Sequence, residues 1–177
     1  GEMLLLSGSF EESEKYYKPL INLNVNENTI QYLKSILFQE DISRSISFLD
    51  SIILELNPDH RFFNDLLELH NLLVSNYVDG TKDDQLAFKL FFNAEALIYQ
   101  NKTYAAISNL EKIISQYSDA LITSLATLRL AILLTELNEF DKAHKIALSI
   151  EDSDLKDKSL ALAGEIDEKF RGDSKSA

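Results

Sequence analysis

The chain has 177 residues, 45% of them hydrophobic, and no apolar run reaches the roughly 20 residues needed to span a bilayer. A formal net charge of -12 repels phosphate backbones and anionic lipid surfaces. Nucleic acid is therefore set aside, and cationic or neutral proteins and peptides are the better partners. With no cysteine, disulfides, zinc–thiolate sites and thiol catalysis are excluded, and the composition suits a cytoplasmic or a periplasmic home.

Two prolines and five glycines favour long helices joined by short turns. In chain order, apolar spacing near 3.6 predicts about nine or ten helices and no strand. Met3 to Leu6 is a short apolar stub. Ser9 opens a helix over about 10–23, with Glu12 at capping-box spacing. Pro19 inside that helix should kink it or delay its start, because its ring displaces an intrahelical bond. Asn22, Asn24, Asn26 and Asn28 mark a loop. Helices over about 28–39 and 42–56 follow, and Asn57-Pro58-Asp59 ends the second. Two long helices, about 60–77 and 83–100, flank a linker whose Asp79-Gly80 is a turn signal. The remaining helices cover about 103–117, 119–137, 139–150 and 154–170, with Gly172-Asp173 as a final turn.

Two stretches repeat one pattern: Ala94 to Ile113 and Ala131 to Ile150. Ala94 and Ala106 are 12 apart, as are Ala131 and Ala143, and the copies are offset by 37. A fixed period of helix–turn–helix units signals an α-solenoid of antiparallel helix pairs, which buries its core between neighbours. The helices at 28–39 and 42–56 form a weaker copy, with Ser45 in place of the alanine. The expected organisation is one array: weaker repeats over 1–58, an odd helix and linker over 59–82, and stronger repeats over 83–177. Ser7-Gly8-Ser9-Phe10 reads as the turn of a repeat whose first helix is a stub, and Ala177 stands where the next alanine falls. Both ends thus read as cut from a longer array. Their uncovered apolar stripes suggest weak self-association, strengthened by salt.

These residues resemble the tetratricopeptide repeat. Ala94, Ala106, Leu110 and Ile113 match the family pattern in one copy, and Ala131, Phe140, Ala143, Ala147 and Ile150 in the other. Leu49, Ile52, Ile53 and Pro58 match more loosely. The period of 37 exceeds the family's 34, and the family's first-helix tryptophan and glycine are absent. The stretch from Leu86 to Lys102 looks like the repeat region of large bacterial tetratricopeptide proteins. The resemblance implies a right-handed superhelix and a non-catalytic protein-interaction scaffold. It also implies that groove-facing positions of the first helices contact the ligand: Lys34, Glu95, Tyr99 and Glu136. Chaperone-binding members hold a C-terminal carboxylate with Lys, Asn and Arg. The comparable positions here are Lys34, Glu95 and Ile132, and one basic residue among three is not a clamp.

No catalytic constellation stands out, so no enzyme activity, cofactor or metal is expected. His60, His70 and His144 have no partner at metal-ligand spacing, and the first two lie ten residues apart, roughly 15 Å along a helix. The acidic linker Asp79 to Asp84 lacks the alternating ligands of a calcium loop and reads as a helix cap at Thr81 or Asp83. Glu11-Glu12 complements a helix dipole, and Asn101-Lys102-Thr103 fits an inter-helix turn better than a glycosylation acceptor. Of the adjacent pair Phe91 and Phe92, one should pack while the other lies on a groove. Two alternatives to the scaffold are a structural spacer in a larger assembly or envelope-associated protein, and a regulatory domain of an enzyme.

Overall fold

The structure is a computed structural model that describes residues 1–21 and 25–172, with side chains through Lys169. Among the described residues the chain is all-α, with ten helices: α1 (Glu2–Leu6), α2 (Phe10–Tyr17), α3 (Glu27–Leu37), α4 (Ile42–Ile53), α5 (Phe63–Leu73), α6 (Lys82–Tyr99), α7 (Thr103–Gln116), α8 (Thr123–Glu136), α9 (Phe140–Leu148) and α10 (Ser153–Gly172). Successive helices pack on one another except α5 and α6, which each pack on the turn between them, Val74–Val78, and α8 also packs on α10. One apolar core runs through most of the chain, and Leu5, Tyr17, Tyr32 and Ile36 form a separate cluster at one end.

Four turns share one backbone geometry. Gly8, Glu40, Asn101 and Asn138 have φ of 81°, 58°, 59° and 61°, and each stands two residues before a helix start. In three of them the next N–H reaches back five residues: Ser9 to the Leu4 carbonyl, Lys102 to Leu97 and Glu139 to Leu134, each 2.8 Å. This left-handed cap satisfies carbonyls at the end of the preceding helix and reverses the chain. Glycine adopts it freely and asparagine tolerates it, whereas Glu40 carries the strain of a Cβ there.

The turn sets the register of the helix that follows. Its fourth residue is Ser13, Ser45, Ala106 or Ala143, and all four are 0% exposed. A small side chain there lets the two helices of a pair close up. Serine substitutes for alanine because its hydroxyl finds a partner: Ser13 and Ser35 Oγ lie 2.9 Å apart, and Ser45 Oγ donates to the Asp41 carbonyl at 2.9 Å. The turn and buried small residue of the two strong copies therefore recur in four helix pairs, α1–α2, α3–α4, α6–α7 and α8–α9, although the 37-residue spacing holds only between the last two. Ala131, Ala147 and Ala163 continue the close approach among α8, α9 and α10.

Several local expectations shift. Pro19 does not lie within an α-helix: α2 stops at Tyr17 and Lys18–Leu20 form a 3-10 turn, since proline cannot donate the intrahelical bond. Ser9 occupies the N-cap of α2, but its side chain makes no capping bond; its hydroxyl accepts from Ser7 Oγ at 3.1 Å instead. The helix expected from 119 begins at Thr123, after a turn in which Ala120 and Thr123 donate to the Tyr117 and Ala120 carbonyls. The helix expected over 60–77 is α5 followed by a π-helical turn, Val74–Val78. There Asn76 Nδ2 donates to the Leu72 carbonyl at 2.9 Å, and a Cβ on Gly80 would run into the Asn76 carbonyl. Asn22 and Asn24, Asp173 of the expected last turn, and Ala177 lie outside the described residues.

Phe91 and Phe92 correct the expectation of one packed ring and one groove ring. Both are 7% exposed, and Phe92 meets Phe88 and Phe91 edge-on at centroid distances of 5.0 and 6.0 Å. Neighbouring helices cover α6 on more than one side, so directions 100° apart both lead into the core. The linker cap is Thr81 with Asp84, not Asp83. Asp84 Oδ2 accepts from Thr81 N and Oγ1, each at 2.7 Å, and its Oδ1 accepts from Leu121 N at 2.8 Å. The Thr81 hydroxyl and the Leu121 N–H hold its carboxyl below the usual carboxylate range. One side chain thus caps α6 and ties it to the turn before α8.

Candidate binding groove

The first helices of successive pairs stand side by side, and polar contacts cross from one to the next. Between α3 and α6, Lys34 Nζ lies 5.1 Å from the centre of the Tyr99 ring. Tyr99 also meets Phe38 at 5.9 Å, and Phe38 meets Phe10 at 5.4 Å. Burial, then the charge of Glu2, pushes the Tyr99 phenol up. Two of the four residues expected to contact a ligand, Lys34 and Tyr99, therefore form one cation–π pair, although 65 positions separate them.

Glu95 is engaged within the chain. Arg129 on α8 grips it with both arms of the fork, Nε to Oε1 at 2.6 Å and Nη2 to Oε2 at 3.1 Å. Each partner is about three-tenths exposed or less, so the pair is partly desolvated and braces α6 against α8. Arg129 was not among the expected site residues. Its lone charge in the run Thr123 to Thr135 of α8 was the available signal. A second bracket joins α2 to α4, where Arg44 holds Glu14 at 2.8 and 3.0 Å. Burial pushes the Glu14 carboxyl up, but the bonds from Gln39 and Arg44 outweigh it and leave it below its ordinary value.

Glu136 is exposed at the end of α8, apart from the other three. It borders an open groove between α8 and α10 with Ile132, Phe140, Leu162, Glu165 and Lys169. Lys169 Nζ donates to Glu165 at 2.5 Å. Apolar side chains thus lie beside Glu136, with the Glu165 carboxylate engaged by Lys169.

Among the described residues no group of three His, Asp or Glu side chains converges as a metal site, and no helix is long and apolar enough to cross a membrane. His70 Nε2 lies 2.8 Å from Asp50 Oδ1 and His144 Nε2 3.4 Å from Asp167 Oδ1, contacts that join neighbouring helices.

Comparison with curated proteins and with solved structures gives no match. The family model of the tetratricopeptide repeat-like domain matches residues 73–174, from the last residue of α5 through α10. Such repeats are helical interaction scaffolds and generally carry no catalysis of their own. The match covers more than half of the chain and includes the two copies with the 37-residue period: the chain belongs to the tetratricopeptide repeat-like domain family.

Proposed function

We propose that this chain is a non-catalytic scaffold that binds a protein or peptide segment along the groove side of its first helices, α3, α6, α8 and α10. The observation that carries this reading is the open groove between α8 and α10, where exposed Glu136 stands beside Ile132 and Leu162. That pairing of a carboxylate with aliphatic surface suits a segment with a basic side chain next to an apolar one. The chain's charge of -12 adds long-range attraction for such a ligand. Lys34 and Tyr99 form the far end of the same side, and the Glu95–Arg129 pair lies between. The family match from residue 73 onward supports a division into a weaker array before the odd helix α5 and a stronger array after it.

Fluorescence anisotropy with a labelled Lys/Leu peptide tests the groove. Glu136→Lys should weaken binding by about tenfold, the size of one lost charge-assisted contact. Glu11→Lys, the same charge change on the exposed start of α2, should leave affinity within about twofold if the contact is local. Equal losses in both variants would reduce the effect to general attraction. A structural spacer is the second reading, favoured by the internal Glu95–Arg129 brace that occupies one candidate contact. A spacer does not bind the peptide, and self-association through the array's ends would appear as a mass that rises with salt in light scattering.

A further inference from the structure

A different surface carries a second site. On α6, Leu86, Lys89, Leu90 and Asn93 follow one another at helical spacing along one stripe, and Asn109 and Lys112 face them from α7. Across this groove Asn109 Nδ2 donates to Asn93 Oδ1 at 2.8 Å. Asn93 Nδ2 reaches Glu40 Oε1 at 3.5 Å, the contact that brings the α3–α4 turn to the rim. In a regularly stacked array the preceding pair would cover this stripe. Here α5 and its π-helical turn intervene, and Leu86 remains 41% exposed.

The charge in this groove runs against the rest of the molecule. Acidic residues outnumber basic ones 29 to 17 in the chain. Among the described residues neither Lys89 nor Lys112 is in an ion pair, so the two ammonium groups bring local positive charge to this groove. Lys89 Nζ lies 5.7 Å from the centre of the Tyr77 ring on the π-helical turn, and Lys89 lines the groove. Two ammonium groups outside any ion pair therefore flank a row of amides and exposed leucine, against the single Glu40 carboxylate at the rim. We propose that this α6–α7 groove docks an acidic, leucine-bearing segment of a partner protein. Its carboxylates would pair with Lys89 and Lys112 while its aliphatic side chains cover Leu86 and Leu90. The ligand chemistry is opposite to that of the α8–α10 groove, so the two sites stand or fall independently.

Titration of the full chain with fluorescein-labelled Glu/Leu and Lys/Leu 14-residue peptides at about 0.15 M salt tests the proposal. The Glu/Leu peptide should bind despite the overall negative charge, and Lys89→Glu/Lys112→Glu should weaken it by at least about tenfold. Lys15→Glu/Lys158→Glu makes the same net change on exposed positions elsewhere and should leave affinity within about twofold. Carbodiimide coupling should join the peptide's carboxylates to Lys89 or Lys112, as read by mass spectrometry. Circular dichroism checks folding, and should the double charge reversal unfold the chain, Lys89→Gln/Lys112→Gln replaces it with the same expected loss. Absence of Glu/Leu binding, equal losses in test and control variants, or coupling only at other lysines would overturn the proposal. So would a dimer in light scattering that the Lys89 and Lys112 changes abolish, because the occupant would then be a second copy.

Discussion

The register of the repeats predicts what Ala106→Leu does. Ala106 is 0% exposed and stands in the helix pair α6–α7 with Ala94, Leu110 and Ile113, also 0% exposed. Leucine adds three carbons where the helices already meet through small side chains. Either α7 moves off α6 or neighbouring side chains leave their rotamers, at a cost of about 1–3 kcal/mol. For a chain of this size each kcal/mol corresponds to about 2–4 °C, so the melting temperature should fall by about 2–12 °C. Ala105→Leu supplies the control one residue away: Ala105 is exposed, and the change should stay within about 0.5 kcal/mol. Thermal melts followed by circular dichroism at 222 nm compare the two. Ala143→Leu should reproduce the loss, since Ala143 holds the equivalent place in α8–α9. Equal melting temperatures for Ala105→Leu and Ala106→Leu would refute the packing register on which the fold description rests.

Other expectations follow from single contacts. Ser45→Ala should be within about 0.5 kcal/mol of wild type in denaturant unfolding, because the hydroxyl bonds only to its own helix. Glu40→Gly should raise stability by up to about 1 kcal/mol, the left-handed strain relieved less the entropy of an added glycine. Asp84→Ala strips the cap of α6 and orphans the Leu121 N–H, so urea unfolding should show a loss of about 1–3 kcal/mol. The folded pKa of Asp84 is depressed, so its stabilisation is complete above its unfolded pKa and disappears as pH falls through the folded one. Asp84→Asn should therefore flatten the acid limb of the stability–pH curve below about pH 4 and leave the slope at neutral pH unchanged. A double-mutant cycle of Glu95→Gln with Arg129→Gln should return a coupling of about 0.5–1.5 kcal/mol, and a value near zero would mean that the brace between α6 and α8 is ornamental.

Much of the architecture is written in local signals. Apolar spacing near 3.6 places the helices within a few residues, because it reflects one helix burying one stripe. The pairs Ala94–Ala106 and Ala131–Ala143 set the register, because only a small side chain permits close helix crossing. Asn101 and Asn138 mark the left-handed turns, because asparagine tolerates that backbone. Ser45 is legible as the alanine's substitute and Ser13 is not; the Ser45 hydroxyl bonds within its own helix, whereas that of Ser13 meets Ser35 only through packing across the pair. The groove contacts were beyond one-dimensional reading. Glu95 finds Arg129 at a separation of 34, Lys34 finds Tyr99 at 65, and Asp84 finds Leu121 at 37. Each meeting depends on how far one pair rotates against the next, and a pattern along the chain carries no measure of that rotation. The same holds for Phe91 and Phe92: sequence placed them 100° apart, and only the helices packed around α6 decided that both directions are interior.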